Sequence, residues 1–417
     1  MPKMSKQSAI ILILVVFLGA LGALIYFYFS FNSQPQTLSP ITNLDTYDPF
    51  GTRGGDNTMA TTEMPSNVIE ENPVSLTTVS KLRQVSAEPV SGFTIRKNPQ
   101  TQKTNINYIL RANGNIYETY TDSVELRRLS ITTVPKVYES IWLPDGVRLI
   151  IRYLREETEK IDTFSVKINP ATTTLNEFTG GIDGNHLPEN IDGLAINPAG
   201  DKLFYLVDNL DGSFGFVSKP DGLNKKLIFE SPLIEWIVSW PKEEIITMNT
   251  KASANIPGYL YFLNSQTGNF SKIIGGINGL TTKTNLGATE ILYSDSTEGT
   301  PKLYLFDVKK GESKPLPWNT LPEKCTWSKI DSKIIYCAVP KNFPTGDYPD
   351  LWYQGLVNFT DDIWLMNIET GAATLVIDLA KDANQIMDIS DMQLDKTDNY
   401  LVFTNKIDLT LWSLDLK

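Results

Sequence analysis

Apolar and polar positions along this chain fall into three regimes. From Ser8 to Phe31 no residue is charged, and Ala9 to Phe29 is an almost continuous apolar block. Residues 32 to about 80 show no sustained period; they are rich in Ser, Thr, Asn, Pro and Gly, with Tyr47 and Phe50 as their two aromatics. From Lys81 to Lys417 the pattern changes again, to short runs of Val, Ile, Leu, Tyr, Phe and Trp separated by Gly, Pro, Asp and Asn clusters. That is the pattern of strands joined by tight turns. No long amphipathic helix interrupts it; Leu379 to Met387 has room for a short one at most.

The apolar block predicts a transmembrane helix over residues 8–31, because about 20 apolar residues cross the hydrocarbon core. A cleaved secretory signal is the rival reading, with small residues at Gly19, Ala20, Gly22 and Ala23. Its apolar region is shorter, however, and here the run continues through Leu24, Ile25 and Phe29. Lys3 and Lys6 precede the block and the next basic residue is Arg53. The positive-inside bias then keeps residues 1–7 in the cytoplasm and exports the rest, to a periplasm or cell surface. Residues 32–80 cannot bury enough apolar surface to offset their ordering entropy, and read as a flexible, disordered stalk.

Within residues 81–417 two sub-motifs recur. One is a strand, a polar turn and a second strand: Trp142-Leu-Pro-Asp-Gly146 before Val147–Tyr153, Asn197-Pro-Ala-Gly200 before Leu203–Val207, and similar passages at Trp240, Trp327 and Leu394. The other is an aromatic-rich strand ending in Asp or Asn and a Gly turn, starting at Leu260, Leu303, Ile363 and Leu411. Those starts lie 43, 60 and 48 residues apart, and the long interval contracts once an insertion at about Pro340–Phe359 is removed. A repeat in the forties is the length of a four-stranded propeller blade.

These turns resemble the WD40-like repeats of TolB-type propellers and of the propeller domains of prolyl-oligopeptidase relatives. The resemblance implies an all-β, about seven-bladed propeller of four-stranded antiparallel blades; Thr281 and Ile95 lie in blades without the Pro-Asp-Gly turn, which keeps six or eight blades as alternatives. The chain ends after a third-strand motif, and Lys81–Ser86 is similar to the fourth strand Val124–Ser130. The first strand is therefore expected to complete the last blade and hide its edge.

A net charge of -11 disfavours nucleic acid, whose phosphates require a basic face. No Gly-x-Ser-x-Gly elbow is present, and the single His186 precedes every later candidate nucleophile, so a serine triad is not expected. One His and two Cys are too few for a zinc site. Asp208, Asp211 and Gly212 lack the ligand spacing of a calcium loop, and Glu156, Glu157 and Glu159 read as a charged loop. No catalytic residue, metal or cofactor is assigned.

Cys325 and Cys337 flank the turn at Asp331, opposite each other on adjacent strands; a disulfide and two buried free thiols are the two readings. The insertion falls between the second and third strands of its blade, which puts it on the face away from the stalk. Its Phe343, Asp347, Tyr348, Asp350, Trp352 and Tyr353, with His186 in a loop of the same face, form the candidate binding surface; the alternative is that the rings pack over the domain. The expected function is a membrane-anchored interaction module for a protein or glycan, with an envelope glycan hydrolase or lyase, or a channel-binding sensor, as the rivals.

Overall fold

The computed structural model describes residues 79–98, 101–155, 160–169, 173–174, 177–178 and 180–417. The expected membrane segment 8–31, nearly all of the stalk, and Glu156, Glu157 and Glu159 lie outside the described residues. Among the described residues no helix is long and apolar enough to cross a membrane.

The described strands form seven four-stranded antiparallel sheets, with one small hairpin inserted in the second. In chain order the innermost strands of blades one to seven are Val90–Lys97, Val137–Trp142, Ile191–Ile196, Trp236–Lys242, Thr282–Thr284, Cys325–Trp327 and Ile389–Leu394. Of the blade counts that the sequence leaves open, seven is the one found. The recurrent turns explain why these sequences make hairpins. In Pro144-Asp145-Gly146 the Asp145 carboxylate accepts from the Val147 and Arg148 amides at 2.8 and 2.9 Å, while Gly146 takes the positive φ of 63° that a side chain disfavours. Blade five lacks that motif, and there Asn285 does the same work, its Oδ1 accepting from the Thr289 amide at 2.9 Å.

The core is distributed between blades. Seven apolar clusters each join neighbours: Ile109 and Ile116 of blade one meet Val137 and Leu149 of blade two, and Val402 and Leu411 of blade seven meet Val90 and Phe93 of blade one. Neighbouring sheets thus bury each other's faces, and a single blade buries neither of its own.

The ring closes as the sequence predicts. Leu82–Ser86 pairs antiparallel with Leu411–Asp415, with Leu82 opposite Leu414 and Gln84 opposite Trp412. Arg83 extends the closure to blade one, donating to the Ser123 and Tyr120 carbonyls at 2.6 and 2.7 Å. Cys325 and Cys337 are register partners on the two inner strands of blade six and form a disulfide, both fully buried. Deleting residues 81–87 strips the seventh blade of its outer strand, so the domain is expected to aggregate or lose its single cooperative unfolding transition. A thermal melt indistinguishable from that of the intact chain would contradict the closure.

Candidate functional site

Alternating hairpins divide the loops between two faces: turns joining first to second and third to fourth strands lie on one, and second-to-third turns and blade-to-blade connections on the other. The closing strand begins on the first face. The insertion, between Ile334–Pro340 and Asp361–Asn367 of blade six, belongs to the second, the distal face. It leans across that face rather than standing away from it. Asp350 Oδ2 accepts from the Ala254 amide in the second-to-third turn of blade four at 2.7 Å, and Gly346 donates to the Gly299 carbonyl of blade five at 2.8 Å.

This geometry corrects part of the sequence expectation. Tyr348 and Trp352 are buried, packed with Phe359 and Leu321 in an eighth apolar cluster, and the half-buried Phe343 packs edge-on to Tyr348 and tilted against Phe359 with ring centroids 4.6 and 4.4 Å away. Those rings form a structural plug, because an insertion of this length needs a small core of its own to hold one shape. Asp347 is exposed, Asp350 is spent on Ala254, and Tyr353 remains accessible. His186 is likewise not in a loop: it ends the outermost strand of blade two, Gly181–His186, its exposed ring 4.8 Å from that of Phe164, on the rim rather than near the axis.

Beneath the plug lies a buried ion cluster. Lys324, wholly buried just before the innermost strand of blade six, places Nζ 2.7 Å from Asp361 Oδ2 and against Asp388, and donates to the Ile389 carbonyl at 3.0 Å. Asp388 also accepts from Trp352 Nε1 at 2.9 Å and from the Phe359 amide at 3.1 Å. The ammonium stands 5.2 Å from the Trp352 ring centroid. Burial raises the Asp361 pKa to about 6, with Lys324 pulling down and Asp388 pushing up.

The plug delivers Tyr353 to the central channel. A cavity of about 760 Å³ follows the axis from Tyr353 past Glu139, Thr282 and Asp391 to Pro241 and Leu286, and a second of about 380 Å³ opens at the distal mouth between Tyr138, Arg152, Asp192, Glu235 and Lys251. Tyr138, Glu139, Ile237, Val238 and Tyr353 line both. The innermost strands are bulged where they meet this mouth, with register shifts between Val137 and Glu139, Ile191 and Leu194, and Ser390 and Gln393. Bulges re-aim side chains, here those of Tyr138, Asp192 and Asp391.

The electrostatics of the mouth are tightly arranged. Arg152 is nearly buried; it donates to Glu139 at 2.9 Å and to the Ile191 and Asp192 carbonyls at 2.8 and 3.1 Å, joining blades two and three under the exposed Tyr138 ring. Lys251 pairs with Glu235 at 2.7 Å. Asp192 has no donor to its carboxylate among the described residues. Burial first, then the nearby Asp208 carboxylate, raises its pKa against the pull of Arg152. Tyr353 donates to Glu323; the residue keeps 39% of its surface exposed and lines the channel, and burial followed by Glu323 pushes its pKa well above the ordinary value. The mouth therefore offers tyrosine faces, paired and unpaired carboxylates and a fixed guanidinium around one opening. Among the described residues no group of three or more His, Cys, Asp or Glu is placed to hold a metal ion.

No family model matches this chain, and no curated protein matches it by sequence. Solved structures do. Oligogalacturonate lyase from Vibrio parahaemolyticus superposes with a TM-score of 0.52 at 10% identity, covering 80% of this chain and 93% of that one. The WD40 domain of Pan2 from Neurospora crassa gives 0.48 at 11% identity over 79% of this chain and 90% of its own. TolB from Acinetobacter baumannii gives 0.41 at 11% over 67% and 62%. The likeness is one of fold. It carries no residue of the mouth across.

Sequence reasoning missed Tyr138, Glu139, Arg152, Asp192 and the Lys324 cluster, since none belongs to a motif. Their signal was a charge inside an apolar strand, as in Val137–Trp142 and Arg148–Leu154, where an unpaired charge is costly. Trp352→Ala is expected to lower stability by about 3–5 kcal/mol, as loss of a large buried ring does. Tyr353→Ala should cost under about 1 kcal/mol, as at accessible positions. Urea titration of both variants checks the pair, and equal losses would contradict the division of the insertion into plug and mouth.

Proposed function

We propose that this chain is a single-pass membrane protein whose propeller lies outside the cytoplasm and acts as a binding module for a protein or glycan, which it takes at the distal mouth of the central channel. The carrying observation is the convergence there of Tyr138 and Tyr353 with Glu139, Arg152, Asp192 and Glu235 around an open cavity of about 380 Å³. Concave sites with a few converging polar groups are where ligands bind. The apolar segment 8–31, with Lys3 and Lys6 before it, supports the tether. The buried disulfide supports an oxidising compartment. The closing strand begins on the opposite face, so a tether preceding it would leave the mouth pointing away from the membrane.

A second reading, a glycan hydrolase or lyase working through carboxylates, draws on Asp192. A carboxyl group whose pKa is raised beside a paired carboxylate such as Glu139 has the character of a proton donor. Its signature would be an Asp192→Asn variant that still binds but releases no product.

Replacing Tyr353 by the photo-crosslinking residue p-benzoylphenylalanine in the full chain, in its own membrane, tests the binding site. The same replacement at Leu223, in the third-to-fourth strand turn of blade three on the opposite face, is the control. Adducts are expected from position 353 and not from 223. Adducts from 223 alone, or from neither, would overturn the assignment of the mouth.

A further inference from the structure

The distal loops of blades three and four carry a feature that the mouth itself does not explain. Leu210, at the tip between the second and third strands of blade three, is fully exposed; Leu233 and Ile234, in the connection to blade four, are 54% and 52% exposed, and Ile256, in the turn of blade four, 63%. These loops touch. The Glu235 amide lies 3.5 Å from Asp208 Oδ2, Lys251 donates to the Glu235 carbonyl at 3.1 Å, and the backbone at Gly212 packs against that of Ser231 and Pro232. The aliphatic tips therefore sit on one continuous strip of loops, and the strip borders the cavity through Glu235 and Lys251. Single exposed apolar residues are ordinary, but a run of them beside a cavity marks an interaction surface.

We infer that this strip docks a polypeptide segment of a partner protein, one that carries both aliphatic and basic side chains, with a basic side chain entering the mouth at Asp192. The inference deepens the proposed function and rests on the mouth being the working site; it chooses protein over glycan. The choice follows from chemistry. Leu and Ile tips have no hydrogen bonds to offer sugar hydroxyls, whereas they bury against other aliphatic groups at about 25 cal/mol per Å². Charge favours the same partner. Asp192, Asp208 and Glu235 are neighbours, while Lys251 is committed to Glu235 and Arg152 to Glu139 and two carbonyls. The unpaired Asp192 carboxylate beside Asp208 is stabilised by an incoming ammonium or guanidinium. The chain as a whole, at net charge -11, draws a basic partner toward it.

The test uses the full chain in lipid nanodiscs and three probes: a short synthetic peptide alternating Lys and Leu, its Lys–Ser counterpart, and chitotetraose. The Lys–Leu peptide is expected to bind most tightly, and to lose about tenfold or more in affinity in a Leu210→Ser/Ile256→Ser double variant and again in Asp192→Asn, as hot-spot truncations do. Leu223→Ser, on the opposite face, should change nothing, and circular dichroism melts should match the parent because all these positions are exposed. Lys–Leu binding that ignores the double variant is non-specific attraction to an acidic protein, and overturns the inference; so does no binding. Chitotetraose binding that is lost in Tyr138→Ala but kept in the double variant would overturn the docking strip while leaving the mouth as the site. Absence of crosslinks from position 353 would instead remove the mouth itself.

Discussion

The shape of the distal face depends on one buried ammonium. Lys324 neutralises two carboxylates, Asp361 on the third strand of blade six and Asp388 at the entry to blade seven, and both are as fully buried as the lysine. Burying three charges is expensive, and pairing alone recovers the desolvation cost only when the remaining polar atoms are also satisfied. Here most of them are. The Ile389 amide donates to Asp361, the Trp352 indole and Phe359 amide donate to Asp388, and the Ile389 carbonyl accepts from Lys324. Burial, and after it the neighbouring Asp388 carboxylate, lifts the Asp361 pKa to about 6 against the pull of Lys324, and Lys406 Nζ stands 5.1 Å from the Trp352 ring centroid. Apolar packing would hold these blades together as firmly. What the charges add is direction: an indole N–H has only one place to point, so the insertion docks in one orientation.

That orientation connects packing to function. With Trp352 anchored, its neighbour Tyr353 faces the channel and meets Glu323, while Asp350 reaches the turn of blade four. The insertion thus straps blade six to blade four across blade five and completes the wall of a mouth whose other side is built by bulged inner strands. A propeller without the strap would have a shallower opening, with Tyr138 and Asp192 present but no tyrosine opposite them. The scaffold supplies rigidity through seven inter-blade cores and a closed ring; the strap and the bulges supply shape.

The fold was legible because a propeller repeats itself. Strands such as Leu203–Asn209, Ile334–Pro340 and Tyr400–Asn405 stand within a residue or two of where alternation and turns put them, since Asp, Asn, Pro and Gly impose local dihedrals independent of the rest of the chain. The closing strand was legible by its likeness to another fourth strand. The site was much less so. Aromatic content drew attention to the insertion, yet Tyr348, Trp352 and Tyr353 sit within six residues and have opposite fates, because burial is decided by Lys324 and Asp388, distant in sequence. Asp192 and Glu139 come together only when blades two and three pack, and a bulge that turns one residue toward the axis leaves no mark in a list of residue types.

The most direct measurement of the central claim is hydrogen–deuterium exchange over residues 341–360 in the parent chain and in Lys324→Met, which keeps the length and removes the charge. Loss of a buried ionic partner typically costs about 3–5 kcal/mol. If Lys324 holds the strap, amide protection should fall throughout the insertion and at Glu323 while the strands of blades one to three exchange as before. Unchanged protection of the insertion in Lys324→Met would show that its packing stands without the ion cluster, and the account of how the mouth is shaped would be wrong.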